Sequence, residues 1–140
     1  TVELAVSDKV VFYGYVNQNA EFDKYISLLS NFDVFAILSV LDSETFGVAA
    51  VEASACAIPV IATNVGGLPE VIDNESSGIL VPSRDVAATA QALQRLVENE
   101  HLRLQMGKNG REKVGRKYDW EKNVQQMMDL YEQVSKIKSI

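Results

Sequence analysis

Residues 33–63 of the chain read DVFAILSVLDSETFGVAAVEASACAIPVIAT, and the pattern within them decides the fold. Residues 33–39 (DVFAILS) are an apolar run without polar alternation, as in a strand covered on both faces. Residues 46–57 (FGVAAVEASACA) are rich in small helix formers, and residues 59–63 (PVIAT) return to a short β-branched run. Strand, helix, strand in that order predicts a βαβ unit and therefore a parallel sheet.

The same alternation continues outward. Residues 9–16 (KVVFYGYV) read as a further strand, and residues 20–32 carry Phe22, Tyr25, Ile26, Leu28 and Leu29 at helical spacing. Residues 68–73 fit a short helix with Pro69 just inside its start, and residues 79–81 a short strand after a turn at Gly78. From Asp85 onward the pattern is helical only. Val86, Ala90, Leu93 and Val97 mark one stripe, and Leu102 with Met106 a second. Trp120, Val124, Met127, Tyr131 and Val134 mark a third, with Asp119 as its N-cap. The expectation is one domain over residues 1–140: an α/β, Rossmann-like, mostly parallel sheet with helices on both faces and an all-helical C-terminal part.

Composition narrows the function. The chain has 140 residues, 47% hydrophobic and 23% charged, which suits a packed core. Thirteen basic against nineteen acidic residues give a net charge of −6, against a general nucleic-acid binder. One cysteine excludes an internal disulfide framework and cysteine-based zinc sites. Apolar stretches such as residues 34–38 fall far short of the roughly 20 residues that span a bilayer. The chain opens on Thr1 with no basic-then-apolar leader, so it reads as a cytoplasmic piece of something longer.

In open parallel sheets, ligands bind outside the carboxyl ends of the strands, which points to residues 14–19, 40–47 and 64–69. The middle junction says most. A helix beginning near Gly47 presents unpaired N–H groups to an anion such as a diphosphate, and glycine admits close approach. Glu52 is the only charged side chain in residues 46–57. It shares a helix face with Val48 and leans toward the N-terminus, where a carboxylate can accept two hydrogen bonds from a sugar diol. Glu44, on the loop, could meet a second polar group. Plainer roles stand beside these: Glu44 as an acid favoured near a helix N-terminus, Glu52 paired with an arginine such as Arg84, and Gly66-Gly67 as a turn. Cys56 reads as a small core hydrophobe and His101 as a solvated residue. Asp42 and Glu44 lack a third metal ligand. The chain has no G-x-G-x-x-G, no P-loop and no G-x-S-x-G elbow.

Glu44 and Glu52 are separated by seven residues, with Phe46-Gly47 between them. This resembles the E-x7-E signature of retaining nucleotide-sugar glycosyltransferases of family 4, which have the GT-B architecture. The neighbours fit in order: DVFAILS at 33–39, AIPVIAT at 57–63, NVGGLPE at 64–70, GILVP at 78–82 and YDW at 118–120. By that resemblance the chain is part of the donor-binding half of a hexosyl-type transferase of polysaccharide or glycoconjugate biosynthesis. Such an enzyme moves a sugar from a nucleoside diphosphate to an acceptor hydroxyl with retention at the anomeric carbon.

The resemblance places Glu44 in the catalytic position, against the hydroxyls of the transferred sugar, and Glu52 on the nucleotide ribose. Phe46, Gly47 and Val48 match the backbone stretch that addresses sugar and diphosphate, Gly66 and Gly67 the glycine loop, and Tyr15 and Val16 the region near the base. No cofactor and no metal are implied. Two central strands that carry an Arg and a Lys, and the half that holds the sugar, lipid-linked or other acceptor, are not visible in the sequence. The chain alone is therefore expected to be inactive, with weak nucleotide binding. Its last helix, which in the family reaches the other half, is expected to expose apolar surface and promote self-association. The full-length protein is expected in the cytoplasm, at most peripheral at the inner membrane face. The alternative is a non-catalytic α/β nucleotide-binding or signalling and interaction module.

Overall fold

The structure is a computed structural model that describes residues 6–17, 20–40 and 45–137. Contacts divide the chain into two units, Thr1–Asn31 and Phe32–Ile140. In the first, a 3-10 turn at Ser7–Lys9 leads into residues 10–16 and then helix α1 (Phe22–Ser30), which buries Leu29. The strand expected at residues 9–16 is not there. These residues are in no strand ladder, and Val11, Phe12 and Tyr15 are largely exposed. A strand is defined by the neighbour that takes its N–H and C=O groups, so β-branched composition alone does not make one. Ahead of α1, the Asn17 side chain accepts from the Ala20 N–H at 3.2 Å. Glu21 pairs with Lys24 at 2.7 Å, a hydrogen bond that holds the Glu21 carboxyl below its usual range.

The second unit carries the sheet. Strands β1 (Phe35–Ile37), β2 (Val60–Thr63) and β3 (Gly78–Val81) lie in that order, all parallel, with Phe35 opposite Val60 and Val60 opposite Gly78. Helix α2 (Val48–Ala55) joins β1 to β2, and the single turn α3 (Leu68–Val71) lies between β2 and β3. Three helices follow: α4 (Val86–Glu98), α5 (Glu100–Lys117) and α6 (Trp120–Ile137).

Burial follows from strand position. All four residues of central β2 are buried, as a strand covered on both faces requires. Ile61, Ile79 and Val81 pack against Ala92 and Leu96 of α4 and Met106 of α5. Val60 and Ala62, pointing the other way, are equally enclosed, so both faces of the sheet are covered. Residues 33–39, expected to be fully buried, are not. Ala36 is exposed while Phe35 and Ile37 are half-buried, because β1 has one strand neighbour among the described residues.

The expected α4 stripe also needs correction. Val86 and Val97 are exposed, and α4 instead turns Ala92 and Leu96 to the sheet. Small Ala92 lets the helix lie close, while Val86, Ala90 and Leu93 line an open apolar groove of about 350 Å³ with Leu38 and Val40. The C-terminal helices start on side-chain caps: Asp85 accepts from Ala88 N–H, Asn99 from Leu102 N–H and Asp119 from Lys122 N–H. Asp119 thus takes the role its sequence position predicted. The apolar residues of α6 are exposed along its length, Trp120 the most.

Helix α2 ends in a Schellman motif. Ile58 N–H donates to Ala53 O and Ala57 N–H to Ser54 O, with Ala57 in the left-handed region at φ 60°. Helix α5 crosses this cap so closely that a Cβ on Gly107 would collide with the Ala57 carbonyl. Gly115, on the same helix, faces open space. The two glycines should respond oppositely to alanine. In urea unfolding, Gly107→Ala is expected to destabilise by about 1–3 kcal/mol because backbone must move. Gly115→Ala is expected to stabilise by about 0.5–1 kcal/mol through helix propensity.

Candidate functional site

Because the three strands run parallel, their carboxyl ends emerge on one edge, and the following loops meet there. Buried Thr63, at the end of β2, donates its hydroxyl to Ser39 O at 2.7 Å, fastening the exit of β1 to that of β2. Ser83, beyond β3, donates to Val40 O at 3.4 Å.

The loop before α2 and the loop after β2 then interlock. Gly47, the N-cap of α2, is buried at φ 81°, and a Cβ there would lie 2.6 Å from Leu68 Cδ2. Gly67 returns the contact: its Cβ would collide with the Thr45 carbonyl and lie 2.8 Å from Phe46 Cα. Gly66, alongside, takes φ 51°. The sequence offered Gly66-Gly67 as either a turn or a ligand loop, and a turn is certainly part of it. Gly47, expected to admit a ligand, first of all admits Leu68.

Helix α2 therefore starts on Gly47 with no side-chain cap among the described residues, its first N–H groups without partners inside the helix. Val48, at the first position, is exposed, and Phe46, just before it, is 37% exposed. Glu52 lies one turn further, half-buried rather than enclosed: α2 buries Ala50, Ala53 and Ser54 on its inner side and leaves Val48 and Ala55 exposed. Cys56 is likewise half-buried. Phe46, Gly47, Val48, Gly66, Gly67 and Glu52 thus belong to one stretch of the second unit, at or within a turn of the strand ends. Glu44 lies outside the described residues. Tyr15 and Val16 belong to the first unit, Tyr15 exposed and Val16 half-buried, after Gly14 at φ 69°.

Several contributors were not read from the sequence. The Phe46 and Tyr118 rings pack edge-to-face, centroids 5.3 Å apart and planes at 89°, a geometry worth about 0.5–1.5 kcal/mol beyond burial. Tyr118 had stood only as part of an aromatic helix start. Lys113, nine-tenths buried, donates to the Glu70 carbonyl at 3.0 Å and pairs with Asp73 at 2.7 Å. Lys117 Nζ and Tyr118 Oη approach the same carbonyl at 3.4 Å. No periodicity announces a lysine that finds its partner forty positions away on another element.

Comparison with known proteins follows the same outline. Residues 2–113 match the family described as glycosyl transferases group 1. The chain is 39% identical over 99 residues to D-inositol 3-phosphate glycosyltransferase of Saccharomonospora viridis, covering 71% of this chain and 22% of the relative. It is 36% identical over 128 residues to N-acetyl-alpha-D-glucosaminyl L-malate synthase of Bacillus anthracis, covering 91% and 32%. Among solved structures, sucrose-phosphate synthase of Thermosynechococcus elongatus superposes with a TM-score of 0.83 at 37% identity, over 97% of this chain and 33% of that one. The chain thus spans between about a fifth and a third of these three relatives. With the parallel sheet and interlocked glycine loops, these matches assign the chain to the glycosyl transferases group 1 family, as a part of its GT-B fold.

Proposed function

We propose that the chain is the donor-binding part of a retaining, family 4 glycosyltransferase, which passes a hexose from a nucleoside diphosphate sugar to an acceptor hydroxyl. The observation that carries this reading is the start of α2 on a glycine N-cap, packed against the Gly67–Leu68 step by Gly47 and Gly67, with Glu52 one turn behind it. The amides of residues 46–48 address the diphosphate and the sugar, where fixed dipoles favour the charge that develops on the leaving group. Gly66 and Gly67 keep the neighbouring loop out of the way. Glu52 accepts from the ribose diol, and Glu44 contacts the hydroxyls of the transferred sugar. Anabaena HepE, whose fold overlays this one at a TM-score of 0.84 and 22% identity, has been solved with UDP and with UDP-glucose. That supports a nucleotide-sugar donor. The acceptor belongs to the part of the protein outside this chain. No described helix is long and apolar enough to cross a membrane. The reading places the full-length protein in the cytoplasm, at most peripheral to a membrane.

Titration with uridine diphosphate, followed by amide NMR shifts, is expected to saturate weakly. Glu52→Ala should weaken it about 10- to 100-fold, the loss of hydrogen bonds to a charged acceptor, with the melting temperature unchanged. If Glu52 merely secures α2, the melting temperature falls and affinity stays. The chain by itself should transfer no sugar from a nucleotide-sugar donor; measurable turnover would refute its role as a donor-binding part only.

The exposed apolar residues of α6 give the chain a second property in this proposal, association with another copy of itself. Val124, Met127, Met128 and Tyr131 are each two-fifths or more exposed on one helix. Sedimentation should show concentration-dependent association, abolished by Met127→Glu with Tyr131→Glu.

A further inference from the structure

The two loops at the strand ends are also tied together from behind, by the end of α5. We propose that Tyr118 and Lys113 are positioning residues that set the spacing between the Phe46–Gly47 loop and the Gly66–Leu68 loop. This deepens the donor-site reading above and rests on it for the identity of the ligand. Tyr118, the C-cap of α5, meets the Phe46 ring edge-to-face and presents its hydroxyl to Glu70 O, so one side chain touches both Phe46 and α3. Lys113, one turn earlier, holds the same carbonyl at 3.0 Å and anchors itself on Asp73.

Glu70 O lies at the end of α3, where a helix has carbonyls without intrahelical partners. That makes it a natural point of attachment for cationic and hydroxyl donors. The other end of α3 is the Gly67–Leu68 step that locks Gly47 in place. Pulling on Glu70 therefore sets where Leu68 sits, and Leu68 sets where α2 begins. The attachment point itself is rigid: Gly107 and Gly110 seat α5 against the end of α2, and Met106 enters the sheet core. The brace runs from a fixed helix to two loops that hold each other, and it leaves the ligand-facing amides untouched.

The test compares Tyr118→Ala, Tyr118→Phe and Lys113→Met by hydrogen exchange without ligand, by melting temperature and by uridine diphosphate titration. Tyr118→Ala is expected to speed exchange at the hydrogen-bonded amides of Ala50 and Val51 and of Leu68, Glu70 and Ile72 about fivefold or more, with those of β2 unchanged, as local opening requires. Its nucleotide affinity should fall about tenfold through lost preorganisation. Tyr118→Phe, which keeps the ring and loses only a 3.4 Å hydrogen bond, should restore both values to within about twofold. Lys113→Met should loosen Leu68, Glu70 and Ile72 more than Ala50 and Val51, because Lys113 reaches the start of α2 through α3 alone whereas Tyr118 also touches Phe46.

The proposal is overturned if Tyr118→Ala leaves both loops protected as before. It is equally overturned if exchange rises uniformly through β2 with a falling melting temperature, the mark of a general loss of stability. If the loops loosen as expected while the parent chain fails to bind the nucleotide, the brace stands and the donor reading falls.

Discussion

The site depends on a mutual exclusion of side chains. Gly47 has room for Leu68 and nothing more, and Gly67 has room for the Thr45–Phe46 backbone and nothing more. Neither loop could take its present path without the other, so the segment after β1 and the segment after β2 form a single object. The hydroxyl of Thr63 on Ser39 O fastens the strand exits beneath them. The N-cap residue of this helix is Gly47, which has no side chain to offer the first amides of α2. Preorganisation of that kind is what a diphosphate site requires: dipoles already in place before the ligand arrives.

Much of this was legible in the order of residues. The unbroken apolar run of residues 59–63 marked a strand enclosed on both faces, and the structure encloses it. The small-residue segment of 46–57 marked a helix, and Asp119 marked the start of another. What failed did so for identifiable reasons. Residues 9–16 have strand composition, but composition does not supply a neighbour. On α4 the larger side chains suggested an inner face, whereas the sheet selected Ala92 and Leu96, because a close approach favours a small residue at the contact. Glu52 was conspicuous for being alone among apolar residues, yet α2 is apolar beyond the face it buries, so that contrast overstated its burial.

The candidate site divides along the same line. Its glycines and Glu52 were visible because each breaks a local rule, a bend where a helix starts or a charge where none belongs. The Tyr118 and Lys113 contacts were invisible because each is ordinary in its own helix and gains meaning only from a carbonyl on α3. Local pattern reveals residues that conflict with their neighbours in the chain; it is silent about those that agree with their neighbours and act at a distance.

Among the described residues the sheet has no hairpin: Phe35 pairs with Val60 and Val60 with Gly78, each across an intervening helix. Ladder formation therefore cannot zip from a tight turn, and each register must wait for a long loop to close. Among the described residues, β1 gains its neighbour in this sheet when residues 60–63 dock, and β2 its second neighbour when residues 78–81 follow. Assembly of these three strands should then proceed by docking of the segments between them, at the slower pace of non-local topologies.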